Sequence, residues 1–357
     1  MALGLPLPRS WPWLSELLDL WNGCRATAGK LQAHHDDPTT QRWPNPYTLV
    51  EPDGPAAGVA QSHLLPHGPP GQASFLMPDS SPTHTLTSKT CSVLYCSLGG
   101  FGALVERLSP EKLLEAHGQY IQAVGDAIRR HRGTLHHLVG DVVMGSWNGQ
   151  VFVPSHYLQA CKAGMGVHRS VMAINGALNC KALTVHIGIS KGPVLVGIMG
   201  GTHTKALSIV GPAVHLARDL MKLNGTLGTS VLVHDIYSHD IFFQFETRLV
   251  DWVTHRHWEG QILTVHEVRR PFVEDGDDLW MYTSPCRSVP KPYLDAIHYL
   301  REGHLQQGKD LLLAYMQEYP ADGPAKLLLW ALKRGCLVQG KAIHSLESPP
   351  GPQDLNL

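Results

Sequence analysis

Three things are scarce in this chain of 357 residues: charge of one sign, paired cysteines and long apolar runs. The formal net charge is −1, so no basic excess exists to neutralise phosphates, and a nucleic-acid-binding role is excluded on electrostatic grounds. The cysteines number 7, an odd count with no C-x-x-C pair (Cys24, Cys91, Cys96, Cys161, Cys180, Cys286, Cys336). That argues against a disulfide framework and a zinc ribbon and fits a reducing compartment. No apolar run reaches the length that spans a bilayer. The N-terminus, MALGLPLPRSWPW, has no basic start and is broken by prolines, which argues against a signal peptide. The chain reads as cytoplasmic, either by itself or as the cytosolic part of a longer membrane-associated product. What it does have is an ordinary apolar content of 43%, enough for one or two domains with real cores, and 22 scattered histidines.

Texture divides the chain. Residues 1–88 hold one candidate amphipathic helix from Leu14 to Leu31, followed by DDPTTQRWPNP, EPDGPAAG, HGPPGQ and PDSSPTH. Such proline, glycine and serine density buries too little apolar surface to offset chain entropy, so a largely disordered leader is expected. From Cys91 the pattern tightens. CSVLYCSL reads as a buried strand and runs into the glycine-rich GGFGA. Ser109 and Pro110 are a cap and first-turn pair for a helix through EKLLEAHGQYIQAVGDAIRRH, ended at Gly133. TLHHLVGDVVMGSWN is two β-like runs joined at Gly140-Asp141, a tight-hairpin signal. A helix from Tyr157 to Leu178 comes next. LTVHIGISKGPVLVGIMGG then reads as a second hairpin around Lys191-Gly192, SIVGPAVHLARDLMKLNG as helix, and TSVLVHDIYSHDIF as a strand and short helix. Strands interleaved with helices in this order imply an α/β (α+β) sandwich of mixed or antiparallel sheet. Residues 271–340 read as two or three short helices. They resemble a single tetratricopeptide-like unit, and since one unit cannot stack by itself, a helical extension packed on the domain is the simpler reading. Residues 341–357 read as a disordered tail.

Three segments in order resemble the class III adenylate and guanylate cyclase catalytic domain: VLYCSLGGFGALVERLSPEKL, GTLHHLVGDVVMGSW, and LTVHIGISKGPVLVGIMGG with SIVGPAVHLARDL. The resemblance covers residues of about 89–270 and implies a ferredoxin-like core with helices on the sheet. It also implies head-to-tail pairing with another cyclase domain, in a homo- or heterodimer, so that each site is shared. One domain would supply two carboxylates for a pair of Mg2+ or Mn2+ ions on the triphosphate of ATP or GTP. Its partner would supply a lysine and an aspartate or threonine for the purine, an asparagine for the ribose and an arginine for the phosphorus. Such chemistry needs hard cations as Lewis acids and template, oxygen ligands to hold them, and a preorganised cation at the developing charge.

Carried over residue by residue, the pattern is incomplete. The second metal carboxylate is Asp141, but the first falls at Ser97, a neutral hydroxyl. The Leu98 carbonyl and the amides of Gly99, Gly100, Phe101 and Gly102 remain as a phosphate cradle. The lysine position holds His137, and the aspartate or threonine position Ser208. The asparagine position holds His215 and the arginine position Asp219. Arg218 is the available substitute, but one residue is about 100° of helix rotation, so it is expected to point elsewhere. Pro212 is expected to disturb the start of that helix. Loss of a single oxyanion donor costs about 10²–10³ in rate, and an acid in its place repels the charge. These losses imply a catalytically impaired domain acting as a regulatory or dimerisation partner of another cyclase. The alternatives are an active adenylate or guanylate cyclase within a heterodimer, and a nucleotide-binding module without turnover.

Other features have plainer readings. His136 and His137 are adjacent on a strand, so only one shares a side with Asp141, which argues against a transition-metal site. His255-Arg256-His257 reads as a solvated turn or edge. Cys91 and Cys96 read as small core residues, and Trp252, Trp258 and Trp280 as core or domain contacts.

Overall fold

The computed structural model describes residues 86–177, 183–200, 205–236, 241–258, 261–272, 289–338, 341–346 and 349–355. The expected leader through residue 85, with its Leu14–Leu31 helix, lies outside them, as does Trp280.

The chain opens with β1 (Thr87–Gly99), α1 (Phe101–Arg107) and α2 (Pro110–Arg130), then β2 (Thr134–Val139), β3 (Val142–Trp147) and α3 (His156–Ala177). β4 (Thr184–Gly200), β5 (Lys205–Val210), α4 (Pro212–Leu227) and β6 (Val231–His234) follow. After the single turn α5 (Ile241–Gln244) come β7 (Phe245–Thr254) and β8 (Leu263–Pro271). Three helices, α6 (Lys291–Arg301), α7 (Leu305–Glu318) and α8 (Gly323–Arg334), precede the short β9 (Leu337–Val338) and β10 (Lys341–Ser345).

The strands lie in the order β2-β3-β1-β4-β6-β8-β7-β10-β9, with β5 on the far half of β4. The first four are mutually antiparallel, so β1-α-β2-β3-α3-β4 is the expected ferredoxin-like core. Parallel pairing of β4 with β6 and of β7 with β10 makes the whole sheet mixed. Strand alternation sends Leu94, Cys96 and Leu98 to one face, against Tyr120, Val124 and Ile128 of α2 and Tyr157 of α3. It sends Cys91 and Val93 to the other, with Ala213 and Ala217 of α4. The two cysteines are thus core residues on opposite faces. A Cβ on Gly188 would stand 2.1 Å from the Ala217 carbonyl, so its absence lets α4 settle directly onto β4.

Four expectations are corrected. Lys191-Gly192 is no turn: β4 runs unbroken for 17 residues, because β1 pairs with it from Thr87↔Val196 to Gly99↔Thr184, straight through Lys191 and Gly192. The hairpin lies further on, where β5 folds back on β4 with Ser208 opposite Gly197, so SIV is strand and helix begins only at Pro212. α2 ends as expected at its two arginines, but the residue that takes the left-handed conformation is Arg132 (φ 63°), not Gly133. Within the expected tail, Lys341–Ser345 forms β10 beside β7, and Leu346 and Leu355 are buried. Two isolated leucines among polar residues carry no periodicity, which is why that stretch reads as tail.

The three C-terminal helices pack Tyr293, Ala296, Leu300, Leu312 and Leu328 against Leu249 and Trp252 of β7. A buried guanidinium ties them down: Arg248 donates to Glu267 (2.5 Å) and to Asp322 (2.6 Å), the residue that also caps α8 through the Ala325 amide. Among the described residues no helix is long and apolar enough to cross a membrane.

Candidate active site

The first group of expected site residues gathers where β1 ends and the β2–β3 hairpin turns. Gly140 takes φ 60°, which a two-residue connection demands of its first position, and the following Asp141 is carried at the tip. Asp141 Oδ2 accepts a hydrogen bond from the Leu98 amide (2.9 Å), stitching the tip to β1. The Tyr120 hydroxyl of α2 donates to the Asp141 carbonyl (2.9 Å) and stands 3.1 Å from Cys96 Sγ. Burial raises the Tyr120 hydroxyl well above its ordinary value and pushes the Cys96 thiol to about 12, so both stay protonated and serve as fixed donors. The glycine-rich segment is shorter than expected. Gly99 is still strand, Gly100 is a single left-handed residue (φ 78°), and Phe101 and Gly102 already belong to α1.

Ser97 is half-buried and faces β4 in register with His186. Burial holds His186 below the usual imidazole range, and the charge of Asp141 pulls the other way. His186 therefore stands where Asp141 is felt, although nothing in its spacing marked it. The two histidines of β2 do not alternate as expected. A bulge between Leu135 and His137 breaks the register, and the rings of His136 and His137 lie 6.5 Å apart. His136 bonds to Ser146 (2.7 Å) and is driven by burial to about 4, so it is neutral, while His137 is exposed. A backbone bond to Leu207 opposes that shift, which brings β2 beside β5 and hence the His137 strand beside the Ser208 strand. Ser208 is half-buried and its hydroxyl donates to the Ala206 carbonyl (3.3 Å).

The second group lies on α4. Pro212 occupies the first turn, where no helical bond is lost, and the helix starts undisturbed, contrary to expectation. His215 stacks on His257, with ring centroids 4.3 Å apart and planes 24° from parallel. Its Nδ1 lies 3.4 Å from an Arg218 guanidinium nitrogen. Burial depresses the His215 imidazole, and the His257, Arg218 and Arg256 charges add to that. Asp219, 11% exposed at its side chain, sets Oδ2 at 3.3 Å from Nε2 of the fully buried His255. The other oxygen is 3.6 Å from Lys222 and 3.7 Å from Arg218. His255 Nδ1 accepts from the His257 amide (3.3 Å), which assigns the ring proton to Nε2 and its donation to Asp219. Burial alone would raise the Asp219 carboxyl; the His255 bond and the Lys222 and Arg218 charges outweigh it and leave it below the ordinary aspartate value.

His255-Arg256-His257 is therefore no solvated edge: His255 is core, and His257 covers His215. Arg218 leans over His215 and toward Tyr95 of β1, whose hydroxyl is raised by burial against the pull of that guanidinium.

Residues 84–253 match the adenylate and guanylate cyclase catalytic domain family. This stretch is a cyclase-family domain. Adenylate cyclase 1 of Rhizobium meliloti (strain 1021) is 27% identical over 144 residues, covering 40% of this chain and 22% of that protein. The adenylate cyclase of Anabaena cylindrica is 22% identical over 189 residues, covering 51% and 37%. The chain thus spans well under half the length of these curated relatives. Among solved structures, the adenylyl cyclase CyaB from P. aeruginosa is 20% identical with a TM-score of 0.46, covering 55% of this chain and 99% of that one. The guanylyl cyclase Cya2 is 20% identical with a TM-score of 0.45, covering 54% and 97%.

Proposed function

We propose that the cyclase-family domain is catalytically impaired and acts as a regulatory or dimerisation partner of another class III cyclase domain. The observation that carries this reading is Asp219. At the position where the family places an arginine for the phosphorus stands an acid, and its carboxylate is turned into its own domain against His255 (3.3 Å). A negative charge there opposes the charge that builds on phosphoryl oxygens during cyclisation. His215, at the ribose position, is occupied by its stack on His257.

The metal side supports the same reading. Asp141 spends one carboxylate oxygen on the Leu98 amide, and Ser97 offers only a neutral hydroxyl. Among the described residues no cluster of three or more His, Cys, Asp or Glu is arranged to hold a metal ion. The donor set fits one weakly held divalent ion, on Asp141 and Ser97, and does not fit a pair. A bound Mg2+ or Mn2+ would neutralise phosphate charge. The chain's own part is to orient Asp141 from Leu98 and Tyr120, and to offer the backbone of residues 98–102 to phosphate oxygens.

The braced Asp141 and the backbone beside it favour one second reading. The domain would lend Asp141 and its phosphate cradle to a heterodimer whose partner supplies the purine, ribose and arginine groups, with ATP or GTP as substrate. The test is cyclase activity with manganese, on the purified chain alone and mixed with an intact class III cyclase domain. No cyclic nucleotide from the chain alone, and an altered rate of the partner on mixing, are expected. Turnover by the chain alone, abolished by Asp141→Ala, would overturn the impaired reading. Turnover found only on mixing with a partner disabled at its own metal carboxylates would establish the heterodimer.

A further inference from the structure

Helix α2 reaches the hairpin tip with two side chains, and sequence spacing assigned a role to neither. His117 and Tyr120 lie three residues apart, on neighbouring positions of one flank. They take successive carbonyls of the tip: His117 Nε2 donates to Gly140 (2.9 Å) and the Tyr120 hydroxyl to Asp141 (2.9 Å). Tyr120 is buried core, fully explained by its packing with Cys96. His117 is not. It is only half-buried, and the other side of its ring meets Phe101, with centroids 5.6 Å apart and planes 43° from parallel. Phe101 opens α1 directly after the left-handed Gly100. One imidazole therefore touches both segments that would hold a ligand, the tip with Asp141 and the turn after β1. These segments meet elsewhere through the Asp141–Leu98 bond, itself at the end of β1.

We propose that His117 is a positioning residue. It locks the hairpin tip to the β1–α1 turn, so that the Asp141 carboxylate and the backbone from Leu98 to Gly102 face a metal-bearing phosphate ligand as one unit. This rests on the reading above that the hairpin end is the part of the site still offered to a nucleotide. The imidazole supplies two separable things: an N–H for the Gly140 carbonyl and a flat ring for Phe101. A histidine in its Nε2–H form provides both, glutamine only the first and phenylalanine only the second.

The experiment uses the full chain and three variants, His117→Gln, His117→Phe and His117→Ala. Amide hydrogen exchange is read at Leu98 and Val142, with Val93 and Leu94 in mid-strand as internal controls. Mn2+ binding is measured separately by water-proton relaxation. A net bond of about 1 kcal/mol converts to roughly fivefold. His117→Phe and His117→Ala are expected to exchange about fivefold faster at Leu98 and Val142 with the controls unchanged, and His117→Gln to restore protection. Manganese affinity should weaken by a similar factor in the alanine variant. Unchanged exchange at Leu98 in His117→Ala overturns the proposal. So does a uniform rise that includes Val93 and Leu94, which would mean a merely structural role. If the parent chain binds no manganese, the reading of the hairpin end as a metal-bearing site fails, while the exchange result still decides the role of His117.

Discussion

The two ends of the candidate site, the hairpin tip and α4, are built in different ways. At the hairpin end Ser97 offers only a hydroxyl where the proposed reading calls for a carboxylate, but the surrounding frame is built. Asp141 is held by Leu98 and Tyr120, and Gly140 by His117. At the α4 end the side chains are engaged in contacts within their own domain. Asp219 is bonded to His255, and His215 is half of a ring stack with His257. A missing ligand leaves room that a substitution can refill. A side chain engaged in packing does not, because a replacement must first break that contact. The first end should thus be repairable by one change, and the second should not.

The largest effect is expected from Asp219→Arg, which supplies the arginine that the proposed reading finds lacking. It removes the acceptor of buried His255 and places a third cation beside Arg218 and Lys222. A stability loss of about 3 kcal/mol is expected in urea unfolding, without recovery of turnover. A variant as stable as the parent and active with manganese would break the contrast. Next comes Asp141→Ala, which leaves the Leu98 amide without its acceptor and should cost about 1–2 kcal/mol. Exchange should quicken at Leu98, and α4 should be untouched.

Asp219→Asn probes the charge alone, with an expected cost of about 1 kcal/mol at neutral pH. The sign follows from the lowered Asp219 carboxyl. Its stabilisation is fully present above the ordinary aspartate value, about 3.9, and is lost as pH falls through the lower folded value. Parent and variant should therefore converge as acid protonates the folded carboxyl, and a gap that persists once it is protonated would assign the cost to shape. The smallest effect on stability, within about 1 kcal/mol, is expected from Ser97→Asp at a half-buried position. Manganese affinity should nevertheless rise about tenfold, since a charged oxygen ligand replaces a neutral one. No gain in affinity would mean that the hairpin end, too, is no longer a metal frame.

Much of the hairpin end was legible in the sequence because its signals are local. Gly140-Asp141 between two β-like runs marks a turn whatever the rest of the chain does, and Ser109-Pro110 marks the start of α2. The single strand β4 was not legible. Its Lys191-Gly192 step carries a turn signal, and only the 13 residues of β1 alongside override it. The bulge at His136 escaped for the same reason: strict alternation assumes a partner strand in step, and here the partner is one residue short.

By itself the sequence determined which groups are present: one carboxylate at the tip, a hydroxyl at Ser97, an imidazole at His215 and an acid at Asp219. It also determined that an arginine, Arg218, directly precedes that acid. Only the tertiary structure decided where those groups point. Helical geometry fixes the angle between Arg218 and Asp219, but not which of them meets a buried partner. That depends on His255, 36 residues along the chain, being carried beneath α4 by β7. A carboxylate pays for burial only if a donor is waiting there, and no pattern within one helix records whether a distant strand has brought one.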